Sequence, residues 1–193
     1  VILVVLVNKN GMERRVSNDR AMSAFLTLTY IVFASVSTTI FDTFNCIKFG
    51  DDPNFYLSRD VGVVCYDEMH AYYRFYAFVM VFVYPIGIPL LYFILLWRRR
   101  RDLMNERRHE NSKLTKTSFL WENYEKEMWW FEVFECFRRL MLTGVLVFVG
   151  QGSSSQIVFA LLVSITTTMV YINWKPFERG EDDNLAIVTQ FSI

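Results

Sequence analysis

The stretch AYYRFYAFVMVFVYPIGIPLLYFILLW, Ala71–Trp97, runs without a break into Arg98-Arg99-Arg100-Arg101. It carries one charge, Arg74, close to its start. About 20 consecutive apolar residues are needed to carry a helix across the roughly 30 Å of hydrocarbon in a bilayer. This stretch exceeds that length, and the arginines stop it as a cytoplasmic boundary would. An open sheet is excluded at that depth because its edge amides would find no partner in lipid. The stretch therefore predicts a membrane-crossing helix.

Similar blocks lie on either side. Residues 21–44, 131–149 and 156–174 predict three more full spans. The apolar runs 1–7 and 184–193 predict partial spans, cut by the ends of the chain, so the natural protein is expected to be longer in both directions. The chain is 53% hydrophobic with 18 Phe, and these residues are gathered into blocks instead of being spread over amphipathic patterns. The expected fold is all-α, a multi-pass transmembrane helix bundle forming a single domain.

Net charge is zero, from 20 basic and 20 acidic residues, so no footprint for nucleic acid is present. The placement of the charges gives the orientation. Lys9, Arg14, Arg15 and Arg20 follow the first partial span. Residues 98–130 hold Arg98 to Arg101, Arg107, Arg108, Lys113, Lys116 and Lys126, and Lys175 and Arg179 precede the last span. The loop 45–69 between the first two full spans has Lys48 and Arg59 alone. Positive residues favour the cytoplasmic side, so 98–130 is expected inside and 45–69 outside. The aromatic and acidic run Phe119–Phe131 predicts an interfacial helix leading into the span at 131.

Several constellations carry possible function. Pro85, Gly87 and Pro89 in mid-span predict a kink or hinge, since each proline lacks an amide and clashes with the carbonyl four residues earlier. Freed carbonyls there would coordinate a cation or serve gating; a static packing kink is the plainer alternative. Glu132, Glu135, Arg138 and Arg139 form an intramembrane charge cluster. Glu135 reaches Arg138 and Arg139 at spacings of three and four, so either can neutralise it. Cys46 and Cys65 share the loop assigned to the oxidising side and are expected to form a disulfide, stabilising by roughly 3 kcal/mol. Ser35, Thr38, Thr39 and Asp42, with Ser164, Thr167 and Thr168, predict helix packing or a wet path. His70 beside Asp67 and Glu68 is a weak pattern for a metal or a proton sensor. Asp51, Asp52, Asp60, Asp67 and Glu68 make the outer loop acidic, a solvated surface or an attraction for cations.

No Cys-x-x-Cys pair, Gly-x-Gly-x-x-Gly, phosphate loop or Gly-x-Ser-x-Gly elbow occurs. No catalytic site, cofactor or metal is expected, and the chain is not read as an enzyme.

A wider pattern joins Tyr56-Leu57-x-x-Asp60, Cys65, His70, Tyr84-Pro85-x-Gly87-x-Pro89 and Leu95-Leu96-x-Arg98. It continues in Trp129-Trp130-Phe131-Glu132-x-x-Glu135-x-x-Arg138-Arg139-Leu140, Gln156 and Lys175-Pro176-Phe177. From about Thr39 to Gln190 the chain resembles the carboxy-terminal membrane region of large cell-surface proteins of algae, oomycetes and other protists. Those regions are described as similar to transient-receptor-potential (TRP-like) channels and often follow extracellular repeats. The resemblance implies a plasma-membrane, channel-like or stimulus-sensing role with cations and membrane lipids as partners and a homo-oligomeric assembly. Two alternatives stay open: a non-conducting membrane anchor and signal transducer, and a transporter of lipid or solute.

Overall fold

A computed structural model describes residues 2–110, 114–144 and 154–190. The chain opens with α1, Ile2–Asp42, one helix of 41 residues. The basic loop expected between the runs 1–7 and 21–44 is thereby corrected: it is helical. No proline falls in this helix, Lys and Arg are good helix formers, and the single Gly11 costs only about 1 kcal/mol. The apolar part of α1 is Asp19–Asp42.

The segment expected as a plain outer loop folds instead into a small antiparallel sheet, so the fold is mostly rather than wholly helical. Strands β1 (Cys46–Lys48), β2 (Phe55–Leu57) and β3 (Asp60–Val64) lie in that order, with Cys46 opposite Leu57 and Tyr56 opposite Val64. Aromatic and β-branched residues suit these strands. Between β1 and β2, Asp52 Oδ1 accepts the Asn54 amide at 2.8 Å and Oδ2 the Tyr56 hydroxyl at 2.9 Å, turning the chain after Gly50.

Asp67 caps the next helix by accepting the Glu68 amide. Helix α2 (Glu68–Val81) passes through a π turn at Phe82–Ile86 into α3 (Gly87–Arg98). The expected break around Pro85 thus takes the form of a widened turn, which accommodates residues without amides while the helix continues. At Gly87 an added Cβ would lie 3.0 Å from the Phe82 carbonyl oxygen, so a side chain there would press on the backbone of the turn.

Among the described residues of 98–130, the interfacial helix expected at Phe119–Phe131 is replaced by short turns. These residues form α4 (Arg100–Leu103) and 3₁₀ turns at Arg108–Glu110, Thr115–Leu120 and Lys126–Met128. Leu103, Leu114 and Leu120 are fully buried and Trp121 nearly so. Apolar residues standing next to one another, as in Phe119-Leu120-Trp121, present no single helical face, and burial against α1 holds them in short turns. Helix α5 (Phe131–Thr143) follows; residues 145–149 of the span expected at 131–149 lie outside the described residues. Helices α6 (Ser154–Trp174) and α7 (Gly180–Gln190) complete the described fold, and 191–193 of the expected last partial span lie outside it.

Among the described residues, three helices are long and apolar enough to cross a membrane: Asp19–Asp42, the kinked Glu68–Arg98, and Ser154–Trp174. Their outward faces carry exposed apolar side chains such as Phe75, Val83 and Leu162, which water would not favour. One core joins Leu26 and Phe33 of α1, Ile88, Tyr92 and Leu96 of α3, Leu120 and Trp121, and Cys136 and Leu140 of α5. A second, of Tyr124, Phe131 and Tyr171, ties α5 to α6. The helices therefore have a sheet end and an arginine end.

Candidate functional site

At the arginine end, α5 turns a polar edge into the protein. Glu132, Glu135 and Cys136 recur at helical spacing and are all buried. Arg138 grips Glu135 with two nitrogens: Nε lies 3.1 and 3.2 Å from the carboxylate oxygens, and a terminal nitrogen 2.8 Å from Oε2. Oε1 of Glu135 also accepts the hydroxyl of Tyr171 from α6. The cluster expected from spacing thus divides. Arg139 turns away to Tyr30 of α1, donating to its hydroxyl and lying 4.0 Å over its ring. Glu132 accepts the Tyr124 hydroxyl at 2.8 Å through Oε2. Burial, and then the charge of Glu132, push the Tyr124 phenol upward, so it remains a donor.

These charges are held by α1, α5, α6 and residues 121–130 together. A buried pair is a weak net source of stability, but removing one member leaves an uncompensated charge. The arrangement is therefore a clamp that depends on being complete. The tyrosines on which it depends escaped the sequence reading. Nothing local marks Tyr30, Tyr124 or Tyr171, because tyrosine is equally ordinary in a membrane-interface belt. Tyr92 of α3 escaped for the same reason; its fully buried hydroxyl lies 2.7 Å from Thr29 Oγ1 and donates to the Leu26 carbonyl at 3.1 Å.

A second site lies at the sheet end. Cys46 and Cys65 are joined by a disulfide, Cα to Cα 6.3 Å, closing the sheet on itself. His70, 1% exposed, sits against it with Nε2 3.9 Å from Cys65 Sγ. Nδ1 accepts the Tyr66 amide at 3.1 Å, which leaves Nε2–H to donate to the Thr43 carbonyl at 3.2 Å. The imidazole so bridges the sheet's exit to the end of α1. Tyr66 has φ of 70°, a left-handed conformation uncommon for its residue type, and Arg74 lies 5.6 Å over its ring. Cys46, Cys65 and His70 bring their possible ligand atoms within 4.8 Å of one another, but both sulfurs are spent in the disulfide. Asp67 and Glu68 do not join His70 as the sequence pattern allowed: Asp67 is the helix cap and Glu68 is exposed.

The threonines of the hydroxyl-rich helix faces bond within their own helices. Thr38, Thr39 and Thr167 donate to carbonyls of their own helices, and Asp42 pairs with Arg59 at 2.6 Å. A cleft of about 680 Å³ opens between α1, α2 and the sheet, lined by Ser35, Thr39, Thr43, His70, Tyr73 and Met80 among others. The kink residues Pro85 and Pro89 line a separate groove of about 480 Å³ with Phe41, Val133 and Phe137, and its lining is wholly apolar.

Among known proteins, the chain is similar to cysteine repeat modular protein A of Toxoplasma gondii, 24% identical over 168 residues. The match covers 80% of this chain and 5% of that relative, so the chain spans about one twentieth of its length. No protein-family model matches the chain, and no solved structure does.

Proposed function

We propose that this chain is a multi-pass membrane module that anchors a larger plasma-membrane protein and transmits mechanical or conformational change between its two faces. One observation carries the reading. The apolar part of α1 is held at one end by the sheet, through the His70 bond to Thr43, midway by Arg139 on Tyr30, and at the other end by Lys116 on Asp19 at 2.8 Å. From Asp19 to Thr43 an α-helix extends about 36 Å, enough to cross hydrocarbon. A single rigid element thus touches a disulfide-closed outer sheet and a folded inner segment. Similarity to a small part of a much larger cysteine-repeat protein supports an anchoring role.

The test is to reduce the Cys46–Cys65 disulfide from outside with a membrane-impermeant reductant and follow hydrogen exchange at Thr115–Leu120. Transmission predicts faster exchange there, as well as in β1 to β3. Acceleration confined to the sheet would leave an anchor without transduction.

The second reading, a TRP-like cation-conducting module, draws support from the exposed acids Asp51, Asp60, Asp67 and Glu68 near the open cleft at the sheet end. Single-channel recording on the reconstituted protein tests it: cation currents altered by Asp51→Asn and Asp60→Asn would favour conduction, and a silent bilayer would count against it.

A further inference from the structure

Arg98, Arg99, Arg100 and Arg101 stand together where the long apolar helix Glu68–Arg98 ends. Arg98, Arg100 and Arg101 are exposed and Arg99 partly so. Other basic groups at this end have acidic partners: Lys116 with Asp19, Arg108 with Glu178, Lys126 with Glu106 and Arg138 with Glu135. Among the residues whose side chains the structure describes, no carboxylate lies within ion-pairing distance of any of the four arginines, including neighbouring Asp102. The C-terminal end of a helix welcomes positive charge, but that effect fades within a turn and does not neutralise four side chains. The surroundings are amphipathic. The Arg100 guanidinium lies 4.2 Å over the ring of Trp97, which is half exposed and stands beside Phe93 and Trp129. Phe93 and Ile94 continue the exposed apolar surface one turn back along the helix.

We propose that Arg98–Arg101 and Trp97 bind the phosphate-bearing headgroup of an anionic phospholipid in the inner leaflet, its acyl chain lying along Trp97, Ile94 and Phe93. The inference rests on the membrane reading above. Guanidinium groups match phosphate oxygens in pairs, and juxtamembrane arginines gain from a negatively charged leaflet. A soluble phosphate compound would satisfy the arginines equally but would leave the exposed ring and aliphatic surface uncovered, which favours the lipid.

The chain is to be reconstituted in nanodiscs of phosphatidylcholine, alone or with a minor fraction of phosphatidylserine, and the lipid retained on extraction into detergent measured. Retained phosphatidylserine should exceed its share of the bilayer. In a variant with Arg98→Gln, Arg100→Gln and Arg101→Gln its retention should fall roughly fivefold for each arginine lost, at low salt. Added salt should release it from the unmodified chain, a reading that stands even if the variant fails to fold. Equal retention by both chains, or indifference to salt, overturns the proposal. Soluble inositol trisphosphate binding as tightly in the absence of a bilayer overturns the lipid as its source. Failure of the chain to enter phosphatidylcholine nanodiscs at all would instead remove the membrane reading on which it rests.

Discussion

Tyr171 of α6 donates its hydroxyl to Glu135 of α5, the same carboxylate that Arg138 holds from one helical turn away. A buried acid, a base and a phenol are thereby joined across two helices, and the second apolar core packs around the phenol ring. Exposed pairs contribute at most about 1 kcal/mol, but this one is sheltered on both sides.

Replacing Glu135 with Gln should therefore destabilise by ~3–5 kcal/mol, because Arg138 keeps its charge and loses its counterpart. The same change at exposed Glu122 should stay within about 0.5 kcal/mol. Thermal unfolding in detergent measures both. Exchanging the charges, Glu135→Arg with Arg138→Glu, should recover part of the loss. A Glu135→Gln chain as stable as the original would mean that the pair holds nothing.

Tyr171→Phe removes a hydrogen bond to a charged group while keeping the ring, and should cost ~1.5–3 kcal/mol. The loss should be much smaller in the Glu135→Gln background, since the two share a partner. Additive losses in a double-mutant cycle would show that the hydroxyl acts elsewhere.

At the sheet end, His70→Ala should leave the Tyr66 amide and Thr43 carbonyl without their buried partner, at ~1–3 kcal/mol for each group left dry. Hydrogen exchange should quicken at Tyr66 and across β3 while the disulfide stays intact. Unchanged protection at Tyr66 would assign the clasp to the disulfide alone.

Acid should loosen the turn between β1 and β2. The Asn54 amide first, and then the Tyr56 hydroxyl, hold the Asp52 carboxyl below its ordinary value of 3.8. A folded value below the unfolded one means the contribution is present above pH 3.8 and fades as pH falls through the lower, folded value. The Asn54 amide resonance, followed by NMR, should titrate with its midpoint below 3.8. A midpoint at or above that value would show that these bonds do not form.

Long apolar runs made the helices legible: the block 156–174 lies within Ser154–Trp174, and 71–97 within Glu68–Arg98. The prolines marked a break but not its form, because whether a helix kinks or widens depends on its neighbours. Residues 98–130 misled for a physical reason. Trp121 and Trp129 beside acidic residues have an interfacial composition, yet both rings are buried in the first apolar core, Trp129 against Phe93 and Trp97 of α3. The charge cluster was legible within α5, where spacing governs. Its partners were not, since Tyr171 lies 36 residues from Glu135 and Tyr30 lies 109 from Arg139. No local pattern reports contacts over such separations.

The most direct test of the account is the side of the bilayer on which each end lies. Glycosylation acceptor sites inserted beside Asp51, between β1 and β2, and beside Asn105, after α4, report this in microsomal membranes. The account predicts modification at the Asp51 site alone, in a protein that resists alkaline extraction. Modification at both sites, or release of the chain by alkali, would contradict it.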